Sequence, residues 1–514
     1  MKWTEITLDV NEDFLGTVFV FFCIILFSLY VSFTTRVQVL GEDEVGYWRT
    51  AKEIYEHRFT GFTFDGQPMT APLMLPILSA MLFPIFGEQL FVLKAISTIF
   101  GLLAVISMYY AVKKVKGIMP AILTTSLMMA IMLFSHFLLI AYVETMIVFF
   151  SSFIILMMTK ERTLRNAVIL GTAIALALFA KNSAMLLFPV VFLYFIWAKE
   201  HKEHKRFILV AMLIPIAIWS LFIVHNLMVY RIPAIFMLDD IWFRIFGNPY
   251  PATSLPEFKS VARVVLPDLV PNIGAIPMLF MCIGFFYAYN ETEKITKISF
   301  FAIAIFILAS AFYSFSYEVR YVAIIFPFLV FMVSGYWNGI KEYTQKINKK
   351  WVFYLVTLVL TAYFIRESFN TVQATSNMQR WQPQYIEGLY WIRNNTSPDA
   401  TIFTAYGGSV YYYADRNYTW VTSKFPEIMR SNDTQTIYND LLEQKVDYIY
   451  IWQGIIGADY VLPASNLYGI FSYNFLNEIQ NDPMHFTQVY ANEIGVIFKV
   501  NNLVNETIVN ETGA

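Results

Sequence analysis

Long apolar runs separated by short polar connections fill the chain up to about residue 366, and shorter runs of alternating polarity fill the remainder. Roughly 20 apolar residues cross a bilayer as a helix. On that ruler, spans fall near 14–35, 89–112, 118–139, 142–159, 165–180, 183–198, 207–228, 270–289, 298–317, 320–340 and 351–366, about eleven in all. The three between 142 and 198 are short and closely spaced. Pro189, Pro215 and Pro327 lie within runs, where neighbouring helices re-satisfy the backbone groups that proline frees. The run from Phe14 to Thr34 has the length of a span rather than of a cleavable leader, and reads as a signal anchor.

Beyond residue 367 the pattern becomes that of an α/β domain. Helix-like stretches near 384–394, 434–444 and 467–480 alternate with strand-like runs at 400–405, 417–422, 447–452, 485–490 and 494–499. The tail is long enough for one small core and lacks cysteine, so packing alone has to hold it. Its aromatics, Tyr411-Tyr412-Tyr413, Trp420 and Trp452, suit either core packing or sugar binding. The expected fold is a polytopic α-helical membrane region, 1–366, followed by a soluble α/β domain, 367–514.

Composition agrees with the pattern. The chain is 57% hydrophobic and 14% charged, where soluble domains carry about 25% charged residues. A net charge of -2 with no basic domain argues against a nucleic-acid partner. Cys23 and Cys282 lie far apart in apolar runs and read as small buried hydrophobes rather than a disulfide.

Lysine and arginine orient the spans. Alternate connections carry Lys113, Lys114 and Lys116, then Lys160, Arg162 and Arg165, then Lys199, Lys202, Lys205 and Arg206. Lys294 and Lys297 follow, then Lys341, Lys346, Lys349 and Lys350. That side is cytoplasmic by the positive-inside rule. The 36–88 loop, the 228–270 loop and the tail then lie outside, as expected for an integral protein of the cell membrane with an extracytoplasmic tail. Sequons beginning at Asn394, Asn395, Asn417, Asn432, Asn505 and Asn510 suit an exposed, glycosylated tail.

Polar residues within or beside spans are functional candidates, and most fall at the outer rim. Glu42, Asp43 and Glu44 follow the first span. His136 and Glu144 bracket the turn between spans three and four. Lys181 and Asn182 separate spans five and six, His225 and Asn226 close span seven, and Glu318 with Arg320 lies between spans nine and ten. Several loops meeting at one membrane depth would build a single site this way. Each residue also has an inert reading. Lys181 can snorkel to the interface, Glu318 and Arg320 can form a structural ion pair, and His136 can be a satisfied rim histidine. Glu144 is harder to dismiss, since Ala141-Tyr142-Val143-Glu144-Thr145-Met146 offers no local cation.

With those residues in view, the chain resembles the polytopic GT-C glycosyltransferases, in the branch of protein O-mannosyltransferases and lipid A aminoarabinose transferases. The first outer loop matches that branch in Asp43-Glu44, Tyr47, Ala51 and Gln67-Pro68-Met69-Thr70-Ala71-Pro72-Leu73. Glu144 matches its second-turn acid, Lys181 the lysine that meets a lipid phosphate, and Glu318-Val319-Arg320-Tyr321 with Pro327 a later stretch. The resemblance covers about residues 14–340. Thr70-Ala71-Pro72 departs from the His-Pro-Pro or Lys-Pro-Pro often seen there. The Trp-Trp-Asp signature of oligosaccharyltransferases is absent, which disfavours en bloc N-glycan transfer, and the tail does not resemble a β-trefoil.

The resemblance implies an inverting transfer of a mannose-like monosaccharide from a polyprenyl or dolichyl phosphate to a protein, glycan or lipid acceptor. Asp43 would be the general base, with Glu44 its competitor. Lys181 and Arg320 would meet the departing phosphate. Glu144, with His136 and Glu318, would orient the acceptor or ligate a metal. No cofactor is required; a divalent cation is the one candidate. The stretch Tyr47–Tyr55 reads as an interfacial helix flanking the site. The competing classes are a transporter or flippase, and a non-catalytic glycan-assembly subunit. A transporter should show internal repeats and midplane polar groups, and neither is evident.

Overall fold

The computed structural model describes residues 12–34, 42–57, 63–64, 67–68, 73–197, 203–230, 273–290, 294–312, 323–379, 383–404, 407–419, 433–452 and 473–501. It is mostly helical, with one five-stranded sheet in the tail. The chain divides into two compact units: Met1–Arg36, Tyr47–Pro251 and Glu257–Asn377 in the first, and Val37–Gly46, Ala252–Pro256 and Met378–Ala514 in the second.

In the first unit, a helix occupies each of the apolar runs read from the sequence. Leu90–Lys116 and Lys350–Gln373 are long and apolar enough to cross a membrane by themselves. Ile118–Ala130 and Leu133–Leu139 add a third crossing if the pair, bent by 68°, is one span. Shorter apolar helical stretches of 10–17 residues include Gly16–Val31, Glu144–Met158 and Leu164–Ala180. Glu12–Thr34 shows how a helix that is apolar all round is used. Val20, Ile24, Phe27 and Val31, spaced four, three and four apart, are buried, while Phe22, Ile25 and Leu29 stay exposed. One stripe packs on protein and the rest suits lipid.

Small residues let these helices approach. A Cβ on Gly171 would sit 2.8 Å from the Ala211 carbonyl oxygen, and one on Gly284 would sit 2.9 Å from the Val333 Cα. Such close backbone contacts are what drives helix association where lipid removes the hydrophobic term. One helix falls outside the sequence reading. Met74–Phe86 forms in the stretch read as part of the first outer loop, despite Pro76 and Pro84. Pro76 stands in the first turn, where a missing N–H costs no hydrogen bond. Cys23 and Cys282 are both free, and Cys282 is exposed rather than buried as expected.

The first unit also holds a two-residue ladder in the first outer loop, β1 (Thr63–Phe64) with β2 (Gln67–Pro68), while in the second unit the tail supplies β3 (Thr401–Phe403), β4 (Asn417–Thr419), β5 (Tyr448–Trp452), β6 (Phe486–Ala491) and β7 (Gly495–Val500). Their order is β4-β3-β5-β7-β6, with β3 parallel to β4 and β5, and β7 antiparallel to β5 and β6. Helices Pro383–Asn395, Thr434–Glu443 and Tyr473–Gln480 cover the sheet through Leu389, Ile392, Ile437, Leu441, Phe475 and Ile479, packed on Ile402, Phe403, Ile449, Ile451 and Ile497. Tyr385 and Tyr450 stack in this core at 5.3 Å, and the Tyr450 hydroxyl donates to the Tyr385 carbonyl at 2.8 Å.

Arg416 locks one corner of the tail. It is buried, and its guanidinium sends Nε to Thr396 Oγ1 at 3.0 Å, Nη1 to the carbonyls of Ala414 (3.2 Å) and Asp415 (2.9 Å), and Nη2 to those of Arg393 (2.6 Å) and Thr396 (2.8 Å). All five donors are used. They satisfy carbonyls left open where helix Pro383–Asn395 and the π-turn Val410–Ala414 end. Asp415, in the left-handed region at φ 53°, turns the chain so that Arg416 can reach back.

Two expectations follow. Gly284→Leu should lower the stability of the membrane unit by about 1–3 kcal/mol, through forced separation of two helices; thermal unfolding in detergent measures it, and an unchanged midpoint contradicts the close packing. Asp433 caps helix Thr434–Glu443 by accepting from the Thr436 amide at 3.2 Å and from its hydroxyl, which hold its carboxyl below the usual carboxylate range. A lowered folded-state pKa stabilises fully above the unfolded value near ~4 and is lost as pH falls through the lowered value. Amide exchange in that helix should therefore quicken as pH drops below about 4, after correction for intrinsic rates, and Asp433→Asn, which still caps, should remove that dependence.

Candidate functional site

The acidic cluster of the first outer loop is the first turn of a helix, Glu42–Glu56. Carboxylates there meet the positive end of the helix dipole and the open N–H groups. Glu44, Val45, Thr50, Ala51 and Ile54 are buried and share one broad face. Arg49–Glu53 and Lys52–Glu56 pair one turn apart at 3.8 and 3.7 Å, which supports the helix along its other side. Trp48 donates to the Glu88 carbonyl at 3.0 Å, and Lys52 also meets the Glu88 carboxylate at 3.7 Å. The segment read as an interfacial helix, Tyr47–Tyr55, lies within this element. The neighbouring acids differ sharply in setting. Glu44 is 1% exposed, whereas Asp43 is half-buried.

Glu144 opens helix Glu144–Met158 and is also 1% exposed. Its Oε1 accepts a short hydrogen bond from Lys181 Nζ, whose side chain is 14% exposed. The cation missing from the local sequence therefore arrives from 37 residues downstream. Each partner sits at a helix end that suits its charge. Glu144 is in the first turn of its helix, and Lys181 is the C-terminal cap of Leu164–Ala180, its amide bonding the Ala177 carbonyl at 2.9 Å.

The turn before Glu144 frees carbonyls in an apolar setting, and two hydroxyls from helix Leu90–Lys116 take them. Ser97 donates to Tyr142 at 3.0 Å and Thr98 to Leu138 at 3.0 Å. Sequence reasoning did not single these out; an adjacent Ser-Thr pair in an otherwise apolar span is the signal that marks them.

The remaining candidates are placed only in part. His136 lies in helix Met132–Leu139, with its side chain outside the described ones. Glu318 and Arg320 lie outside the described residues, as do the side chains of Asn182, His225 and Asn226. Among the described residues, no group of three or more His, Cys, Asp or Glu is arranged to hold a metal ion. At Glu144 an ammonium already stands against the carboxylate. That donor set does not fit a divalent cation, so no chemical step is routed through one.

Because the pair is enclosed, breaking it differs from removing it. Lys181→Met or Glu144→Gln alone should each cost about 3–5 kcal/mol, while the double replacement should cost less than either single change. Thermal unfolding in detergent reads this directly. Strictly additive losses would show that the two residues are energetically independent.

Residues 70–225 match the family described as dolichyl-phosphate-mannose-protein mannosyltransferase. None of the curated proteins matches the chain in sequence. Among solved structures, it is similar to ArnT from Cupriavidus metallidurans bound to undecaprenyl phosphate, with TM-score 0.63, 12% identity, and 94% of this chain aligned to 98% of that one. It is also similar to the oligosaccharyltransferase AglB from Archaeoglobus fulgidus in complex with an inhibitory peptide and a dolichol-phosphate, with TM-score 0.58, 13% identity, and 84% of this chain aligned to 69% of that one. An Archaeoglobus fulgidus oligosaccharyltransferase tethered with an acceptor peptide containing the NVT sequon gives TM-score 0.62 at 14% identity, covering 86% and 70% of the two chains. At such identities the likeness is one of fold. The chain has the fold of the GT-C glycosyltransferases, and its residues 70–225 match the mannosyltransferase branch that its first-loop motifs resemble.

Proposed function

We propose that this protein is an integral-membrane glycosyltransferase that takes a monosaccharide from a polyprenyl- or dolichyl-phosphate carrier and transfers it, on the non-cytoplasmic side, to a protein, glycan or lipid acceptor. The observation that carries this reading is the near end-to-end correspondence in fold, 94% against 98%, with a transferase solved with undecaprenyl phosphate. Correspondence with the oligosaccharyltransferase stops at 69–70% of that chain. Together with the missing Trp-Trp-Asp signature, this favours single-sugar transfer. The sidedness rests on the lysine and arginine of alternate connections, and eleven crossings rest on the helices that fill the apolar runs. The tail, 367–514, then stands outside the membrane, and the membrane region, 1–366, carries the reaction.

In the mechanism, an acceptor hydroxyl oxygen attacks the anomeric carbon from the face opposite the phosphate. The new C–O bond forms as the bond to the phosphate oxygen breaks, through an oxocarbenium-like state. Asp43 takes the hydroxyl proton; its half-open setting suits a base that meets an incoming group, and Glu44 beside it is enclosed. The electron pair of the broken bond leaves on the lipid phosphate. Lys181 meets that charge, and Arg320 assists. Glu144 holds Lys181 in place before the donor arrives. His136 and Glu318 are assigned to orienting the acceptor. One displacement at one carbon inverts its configuration.

Purified protein should transfer sugar from at least one of a panel of polyprenyl-phosphate monosaccharides to a candidate acceptor. Asp43→Asn should lower turnover by a factor of about 10²–10⁴ while leaving donor binding intact. Full turnover by the variant would overturn the assignment of the base. A wild-type protein that moves the intact lipid-linked sugar across vesicles without transferring it would identify a flippase instead.

A further inference from the structure

One end of the helical unit carries charge that the transfer reaction does not use. Ser97 meets the turn before Glu144, and from Ser97 to Lys114 helix Leu90–Lys116 rises about 25 Å, nearly the thickness of a hydrocarbon core. At that far end two lysine-bearing connections meet. Lys341 Nζ lies 3.5 Å from where a Cβ on Gly117 would stand. Helix Phe326–Lys346 then closes tightly: the amides of Ile347 and Lys349 bond the carbonyls of Tyr343 and Thr344 at 3.2 and 2.8 Å, and Asn348, at φ 54°, reverses the chain into helix Lys350–Gln379. Lys346, Lys349 and Lys350 are gathered by this turn and exposed, as is Lys114, while Lys341 is half-exposed. Among the described residues, none of these five lysines pairs with a carboxylate. Lys113, by contrast, is engaged, donating to the Thr17 hydroxyl at 3.3 Å and standing 5.9 Å over the Tyr109 ring. Glu342, the only carboxylate of the stretch 338–350, accepts from Asn338 at 2.8 Å.

Beside the lysines the surface turns aromatic and then apolar. Tyr343 and Trp351 are exposed next to the turn, and Leu355 and Leu358, one and two helical turns beyond Trp351, are exposed as well. Indole and phenol rings favour the headgroup level of a bilayer, and long lysine side chains reach outward from it. Lysine, aromatic ring and leucine thus follow each other as the layers of one leaflet do, from surface to interior. We propose that this turn is a docking surface for phospholipids with anionic headgroups: Lys341, Lys346, Lys349 and Lys350 meet the headgroup charge, and the acyl chains lie against Trp351, Leu355 and Leu358. A soluble polyanion offers the same charge but nothing for the exposed ring and leucines, so the bilayer is the source this surface fits. The proposal rests on the membrane reading and is independent of the transfer reaction.

The test reconstitutes the full-length protein in phosphatidylcholine vesicles containing a minor fraction of phosphatidylglycerol or phosphatidylcholine with brominated chains, which quench indole fluorescence on contact. The signal of Trp351 is the difference between the wild type and Trp351→Phe. Its quenching should report a preference for phosphatidylglycerol of about fivefold or more, the effect of at least one lysine near an anionic surface. Combining Lys341→Gln, Lys346→Gln, Lys349→Gln and Lys350→Gln should abolish the preference, and arginine at the same four positions should keep it. Raising NaCl from about 0.05 to about 0.5 M should weaken it in the unaltered protein, a readout that does not depend on any variant folding. Equal quenching by the two lipids overturns the proposal, as does a preference indifferent to salt or one retained by the glutamine variant. Loss of the preference on adding micromolar tripolyphosphate would identify a site for a soluble polyanion and overturn the lipid assignment. None of these results bears on turnover, so the transferase reading stands or falls separately.

Discussion

A carboxylate and an ammonium enclosed together among apolar helices cannot be considered one at a time. Glu144 and Lys181 neutralise each other at the meeting point of two helix ends, each end already carrying the complementary partial charge. Neither group would be tolerated alone at that level of burial. The turn beside them obeys the same constraint at the level of the backbone, where Ser97 and Thr98 take the carbonyls it frees. At this turn the polar groups satisfy each other, and helices elsewhere in the bundle pack through glycine and apolar faces. The chemistry assigned to Lys181 depends on that pairing, since a cation kept in place and little hydrated is the kind that meets a phosphate most strongly.

Much of this was legible in the sequence where a repeating pattern carries it. Apolar runs became helices, and alternating runs became strands β3 to β7, because periodicity is a local property that packing seldom reverses. Elements defined by exceptions were harder. Met74–Phe86 was hidden by prolines whose cost depends on their place in the helix, and the acidic loop was a helix start because its apolar face recurs only once per turn. Pairings across long separations were not legible at all. Nothing near Glu144 names Lys181 as its partner. The residue types of the site could be picked out because charge in an apolar chain is conspicuous; their partners follow from the fold.

The two acids of the first loop show what structure adds to a motif. Adjacent in sequence, they are about 100° apart around a helix, so one can be enclosed while the other faces an approaching molecule. A motif that reads as a pair of equivalent carboxylates is in fact an inner and an outer residue, and their chemistry need not be shared.

Arg416 reads the chain differently from the residues discussed so far. Four of its five acceptors are main-chain carbonyls, a feature every amino acid offers. The corner it holds is therefore indifferent to what Arg393, Ala414 and Asp415 present as side chains, apart from the backbone shape that Asp415 must adopt. Lysine, with three donors on a single nitrogen, could not span the same set. The turn is a mounting whose shape is guaranteed by one guanidinium, and the rings displayed on it can be exchanged without rebuilding the frame.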